Sequence, residues 1–103
     1  MFKYWSIKRY GTKLLPILES KFGCKEYYSA SEIRTTIFRN NFSARYLPLG
    51  YILFLDNTSL KETMYIEFPQ IEICKYRKEI SDYLSSKSYN GYLLVLQQEQ
   101  GVY

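Results

Sequence analysis

The stretch Phe22-Gly23-Cys24-Lys25-Glu26-Tyr27-Tyr28-Ser29-Ala30-Ser31-Glu32-Ile33 decides how this chain is read. Ser29-Ala30-Ser31-Glu32 is a capping box. The Ser29 hydroxyl can accept from the Glu32 N–H, while the Glu32 carboxylate reaches back to the Ser29 N–H. Tyr28 immediately before the cap and Ile33 four residues beyond it have the spacing of a hydrophobic staple. Gly23 is a stop signal for the preceding helix. A helix therefore ends at Phe22, the chain turns, and a second helix starts at Ser29. The junction predicts that Gly23 holds a backbone conformation a side chain would resist, and that Tyr27 or Tyr28 packs beneath the second helix.

Upstream, residues 4–22 read as helix, with Ile7, Tyr10, Leu14, Ile17, Leu18 and Phe22 on one stripe. Pro16 has no N–H to donate, and its ring clashes with the Thr12 carbonyl, so a kink or break falls between Gly11 and Pro16. Downstream of the box, Ala30, Ile33, Ile37 and Phe38 are expected to face inward until Asn40-Asn41 ends the helix.

Residues 43–55 are ambiguous. Ser43 can cap a helix with Leu47, Tyr51 and Phe54 or Leu55 on one face, provided the helix proper begins near Leu47, because of Pro48. A short buried strand at 51–55 has the same apolar pattern, and helix is preferred. Asp56–Ser59 is a turn cluster, and Ser59-Leu60-Lys61-Glu62 reads as a second capping box starting one helical turn. Met64, Ile66 and Phe68 then alternate, as an extended piece would. Residues 70–86 form the longest clean helix, with Pro69 at its start, Glu72 in the first turn and Cys74 on its inward side. Asn90-Gly91 is a turn signal, Tyr92–Leu96 is strand or buried helix, and the tail 97–103 is expected to be loose. These segments predict a single domain, 1–103, of mainly α class: a compact bundle of four to five short helices. The alternative is α+β, with 51–55 and 92–96 paired as strands.

The chain has 103 residues and a net charge of +4. Its charge is lopsided. Residues 1–50 hold nine bases against three acids, a net of +6, whereas residues 51–103 hold five bases against seven acids, a net of −2. Such asymmetry suits a nucleic-acid face or a head-to-tail contact between copies. There are 12 tyrosines, which combine an apolar body with a polar tip and suit interfaces. Histidine is absent, which removes the commonest general base and metal ligand and excludes Ser-His and Cys-His dyads. The two cysteines lie too far apart in sequence for a zinc finger, and no phosphate loop, dinucleotide fingerprint or calcium loop occurs. No catalytic, cofactor or metal site is predicted, and an enzyme is not expected. The absence of an 18-residue apolar run argues against a membrane span, and a cytoplasmic location with reduced thiols follows from the missing secretory signal. Cys24 beside Lys25 has the setting of a thiol with a lowered pKa.

The leading expectation is a non-catalytic module that binds an unidentified protein partner or assembles with itself. The alternative is nucleic-acid binding through Lys8, Arg9, Lys13, Lys25, Arg34, Arg39 and Arg45, with Tyr27, Tyr28 and Phe42 interleaved. Tyr28–Tyr46, two short helices joined by a polar turn, has the outline of a helix-turn-helix.

The run Phe22–Ser29, followed by Glu32, Ile33 and Ile37 and by the spacing of Tyr46, Tyr51 and Phe54, resembles a family of small bacterial proteins of unknown function. They occur mainly in gammaproteobacteria and sometimes in mobile integron cassettes. The likeness covers about residues 6–84. It departs at Gly50–Leu53, where members carry alanines and look more plainly helical. No activity is established for the family, so the resemblance implies a bacterial cytoplasmic protein and assigns no site residues.

Overall fold

A computed structural model describes residues 2–94 and 96, and these form a mainly α-helical bundle. Its helices are α1 (Tyr4–Thr12), α2 (Leu14–Phe22), α3 (Ala30–Arg39), α4 (Leu47–Phe54), α5 (Asn57–Glu67) and α6 (Ile73–Ser86). Single 3-10 turns lie at Ala44–Tyr46 and Tyr92–Leu94. No strand occurs among the described residues, so the α+β alternative falls. The tail 97–103 lies outside the described residues.

α1 and α2 are the two halves of the predicted N-terminal run, broken at Lys13, three residues before Pro16. Counted as one interrupted arm, they make the bundle five-membered. Ile7, Tyr10, Leu14 and Leu18 of the predicted stripe are fully buried.

The capping box forms as read. The Ser29 N–H donates to Glu32 Oε1 at 2.9 Å, and the Glu32 N–H donates to Ser29 Oγ at 3.1 Å. A cap of this kind contributes about 1 kcal/mol. Gly23 has φ 87° and ψ 167°. That is not the left-handed helical cap expected of a helix-stopping glycine, but an extended conformation of positive φ that only glycine adopts readily. Of the two tyrosines, Tyr28 is the one that packs: it is buried, while Tyr27 is half exposed. The Tyr28 hydroxyl donates to the Gly23 carbonyl at 2.7 Å, its ring meets Phe54 edge-on, and its N–H donates to the Phe54 carbonyl at 2.8 Å. One residue thus joins the end of α2, the start of α3 and the end of α4. Phe38, expected inside, points out, because it follows Ile37 by one residue and so leaves the inward stripe.

α4 is the hub, packed on by α3, α5 and α6. Leu47, Pro48, Leu49, Gly50, Tyr51, Ile52 and Phe54 are all buried, so the helix is apolar nearly all round, the pattern of a central helix. It begins at Leu47, with Pro48 in its first turn where no N–H is needed. A Cβ at Gly50 would lie 3.1 Å from Ile37 Cδ1 and 3.3 Å from Ile33 Cγ2, so glycine here lets α3 approach α4 closely. The segment is helical even without the alanines that the resemblance led one to expect.

Four local expectations of the C-terminal half are corrected. Asp56, not Ser59, caps α5: its carboxylate accepts the Ser59 N–H at 3.2 Å. α5 then runs through Met64 and Ile66, so their alternation with Phe68 marks no extended piece. α6 starts at Ile73 rather than residue 70, leaving Pro69 in the connecting turn and Glu72 at the N-cap without a side-chain cap bond. The start shifts because the Ile71 N–H turns back to the Phe68 carbonyl at 3.0 Å. Cys74, in the first turn of α6, is exposed rather than inward, while Arg77, Ile80, Ser81 and Leu84 form the buried side.

Candidate functional site

The bundle spends several of the predicted basic residues on its own architecture. Arg9 donates from Nη1 to the Asn41 carbonyl and from Nη2 to the Asn40 carbonyl, both at 2.8 Å, with its guanidinium 4.2 Å from the Phe42 ring centre. It thereby closes the C-terminal end of α3, where orphan carbonyls favour a cation. Lys25 pairs with Glu32 at 3.0 Å and lies over the Tyr28 ring. Arg34 donates to Glu67 at 2.6 Å and to the Tyr51 hydroxyl at 2.9 Å, and Tyr51 donates to the other Glu67 oxygen at 2.6 Å. That triad ties α3, α4 and α5 together. Arg45 lies against the Tyr46 ring, and Arg39 is exposed at the end of α3. The seven residues therefore do not form one surface.

Lys8, Arg9 and Lys13 do come together. With Trp5 and Thr12 they line an open cleft of about 510 Å³ on α1. Trp5 is 73% exposed, although the Lys8 ammonium lies 4.8 Å from its ring centre. The sequence reading passed over Trp5, whose signal is its place three residues before Lys8 on one helical face. The helix-turn-helix outline does not survive. The element after the Asn40-Asn41 turn is a 3-10 turn followed by the buried α4, so no second helix is free to enter a groove.

A second face is apolar. Leu60, Met64 and Tyr65 of α5, Phe68 and Ile71 of the connection, and Ile73 of α6 enclose a groove of about 310 Å³. Lys61, Glu72 and Cys74 also line it. On the rim of the groove Tyr65 is 80% exposed, while Ile66, also exposed, turns to the opposite side of α5. Tyr65 so placed extends the apolar lining of the recess to the surface of the bundle. Reading 64–68 as alternating hid this face; the helical spacing of Leu60 and Met64 was the signal that could have found it.

Among the described residues no three His, Cys, Asp or Glu side chains gather to hold a metal ion. Cys24 is not activated: its thiol donates to Glu19 at 3.6 Å, and the Glu19 carboxylate pushes its pKa up, while Lys25 has turned to Glu32. No described helix is long and apolar enough to cross a membrane.

Fold and surfaces together give a small helical domain with a basic cleft on α1 and an apolar groove between α5 and α6. The chain belongs to a family of unknown function, DUF6559, whose profile matches residues 1–101. No curated protein and no solved structure matches it.

Proposed function

We infer that this protein is a non-catalytic protein-binding module whose apolar α5–α6 face takes a second copy of the chain. The observation that carries this is the exposed ridge that Tyr65 forms beside the groove lined by Leu60, Met64, Phe68 and Ile71. A ridge and a recess of like polarity on one patch are self-complementary under a two-fold axis, the commonest symmetry of homo-oligomers. Burying Tyr65 of each copy in the partner's groove contributes about 1.5–3 kcal/mol per ring, with the groove lining adding to it, against a comparable cost of association. A dimer of micromolar strength or weaker follows. A bacterial, cytoplasmic setting and carriage on integron cassettes belong to the same proposal. They are supported by the likeness of the Phe22–Ser29 junction to small bacterial proteins and by the free, exposed thiols of Cys24 and Cys74.

Sedimentation velocity over a concentration series tests the reading. A shift from monomer to dimer by high micromolar concentration is expected, and it is lost in the doubly substituted Tyr65→Ser, Ile73→Ser protein. A strict monomer throughout, or a dimer indifferent to those substitutions, overturns it.

A further inference from the structure

We propose that the cleft on α1 formed by Trp5, Lys8 and Lys13 binds single-stranded nucleic acid. The first acidic residue of the chain is Glu19, so α1 carries Lys8 and Arg9, with Lys3 and Lys13 at its ends, and no carboxylate of its own. Three of those four cations converge on one cleft with Trp5. Arg9 is held by the Asn40 and Asn41 carbonyls, which fixes its position without neutralising it. It also draws the end of α3, with exposed Arg39, toward the same side of the bundle.

Trp5 supplies what a plain basic patch lacks. Its indole is the chain's single tryptophan and one of its most exposed large side chains, and the Lys8 ammonium stacked on it limits the ring's freedom while leaving it largely open. An exposed, oriented ring among cations matches the chemistry of single strands: bases stack on the aromatic face while lysines meet the phosphates. A duplex keeps its bases stacked on one another and would meet the lysines alone. With no second helix free for a groove, the arrangement favours the unpaired strand. The face is separate from the α5–α6 groove, so this inference stands or falls independently of dimerisation.

Trp5 emission reports on its own site. Titrating the full chain with oligothymidylate at low salt is expected to quench it. The logarithm of the association constant should fall against the logarithm of salt with a slope of about −1.5 to −2, as for roughly two to three phosphates on a single strand. Anisotropy of a dye-labelled oligothymidylate then reads the variants. Trp5→Ala is expected to weaken binding about tenfold or more, and Trp5→Phe to retain most of it. Lys8→Glu with Lys13→Glu should abolish it, and Lys75→Glu with Lys78→Glu should leave it unchanged. Far-ultraviolet circular dichroism confirms that each variant keeps its helices. Failure of oligothymidylate to quench Trp5 or to shift anisotropy overturns the proposal. So does equal quenching by inorganic polyphosphate, which would mark a simple anion site, or tighter binding to a duplex than to the single strand.

Discussion

Replacing Gly23 by alanine isolates one term of the junction's energetics. At most glycines an added methyl confounds backbone strain with a steric clash. Here a Cβ built on Gly23 has nothing within 4 Å, so space contributes nothing. What remains is the backbone, held at φ 87° and ψ 167°, a region essentially reserved for glycine. Holding another residue there costs about 1–3 kcal/mol. Alanine also restricts the unfolded chain, which returns about 0.4–1 kcal/mol, so the net loss should be about 1–2 kcal/mol. For a domain of this size that lowers Tm by about 5–15 °C. The assay is thermal unfolding followed by circular dichroism, with a urea series to give the free energy. A second arm tests the mechanism. The Gly23 carbonyl accepts the Tyr28 hydroxyl, and a backbone that relaxes away from positive φ carries that carbonyl with it. Gly23→Ala and Tyr28→Phe should therefore be less than additive. A Gly23→Ala protein with unchanged or raised Tm, or strictly additive losses, refutes the idea that this dihedral fixes the path from α2 to α3.

Tyr28→Ala removes a ring that is 3% exposed and packed on Phe54, and should cost about 3–5 kcal/mol, measured by urea unfolding; a loss below about 1 kcal/mol would show that the site collapses around the gap. Alkaline pH should also destabilise the bundle. Burial, and then the bond to Glu67, push the Tyr51 phenol up to about 12 from an ordinary 10, and burial raises Tyr10 and Tyr76 as well. Because the folded state holds these protons more tightly, the stability that Tyr51 contributes is complete below pH 10 and is lost as pH rises to about 12. Phenolate absorbance in the near ultraviolet should rise together with loss of helical circular dichroism; full ionisation with the helices intact would contradict the burial argument.

The parts of the fold legible in the sequence are those settled by neighbours a few residues apart. Ser29 and Glu32 sit three residues apart and need nothing else to cap a helix, so the box forms as written. Pro16 breaks its helix through a clash with a residue four positions back, and the break falls at Lys13. Where local signals competed, tertiary contact decided. The cap of α5 is an exception, settled locally: Asp56 accepts the N–H of Ser59 three residues on, where Ser59 itself was expected to cap. The 51–55 run is equally apolar as strand or helix; burial on all sides of α4 makes it helical. Met64, Ile66 and Phe68 alternate by coincidence on a helix whose inward residues are Leu60 and Met64.

The candidate sites were less legible for a reason that also bears on what they do. A sequence shows charges but not their partners. Lys25 and Arg34 counted as basic surface, yet each is drawn to a carboxylate: Glu32 seven residues away, and Glu67 thirty-three residues away. Pairs at such separations are set by packing, so the +6 of the first half overstates the charge offered to a partner. What is left is concentrated where no carboxylate lies in sequence reach, on α1 and at the end of α3. The same subtraction explains Trp5. An indole on a short helix reads as core by default, but Ile7 and Tyr10 already fill the inward side of α1, and Trp5 falls off that stripe onto the side of Lys8. A large aromatic side chain left outside a filled core, among cations left without acids, keeps an oriented face open to a partner. That links the excess of basic charge in the first half to a particular place on the molecule.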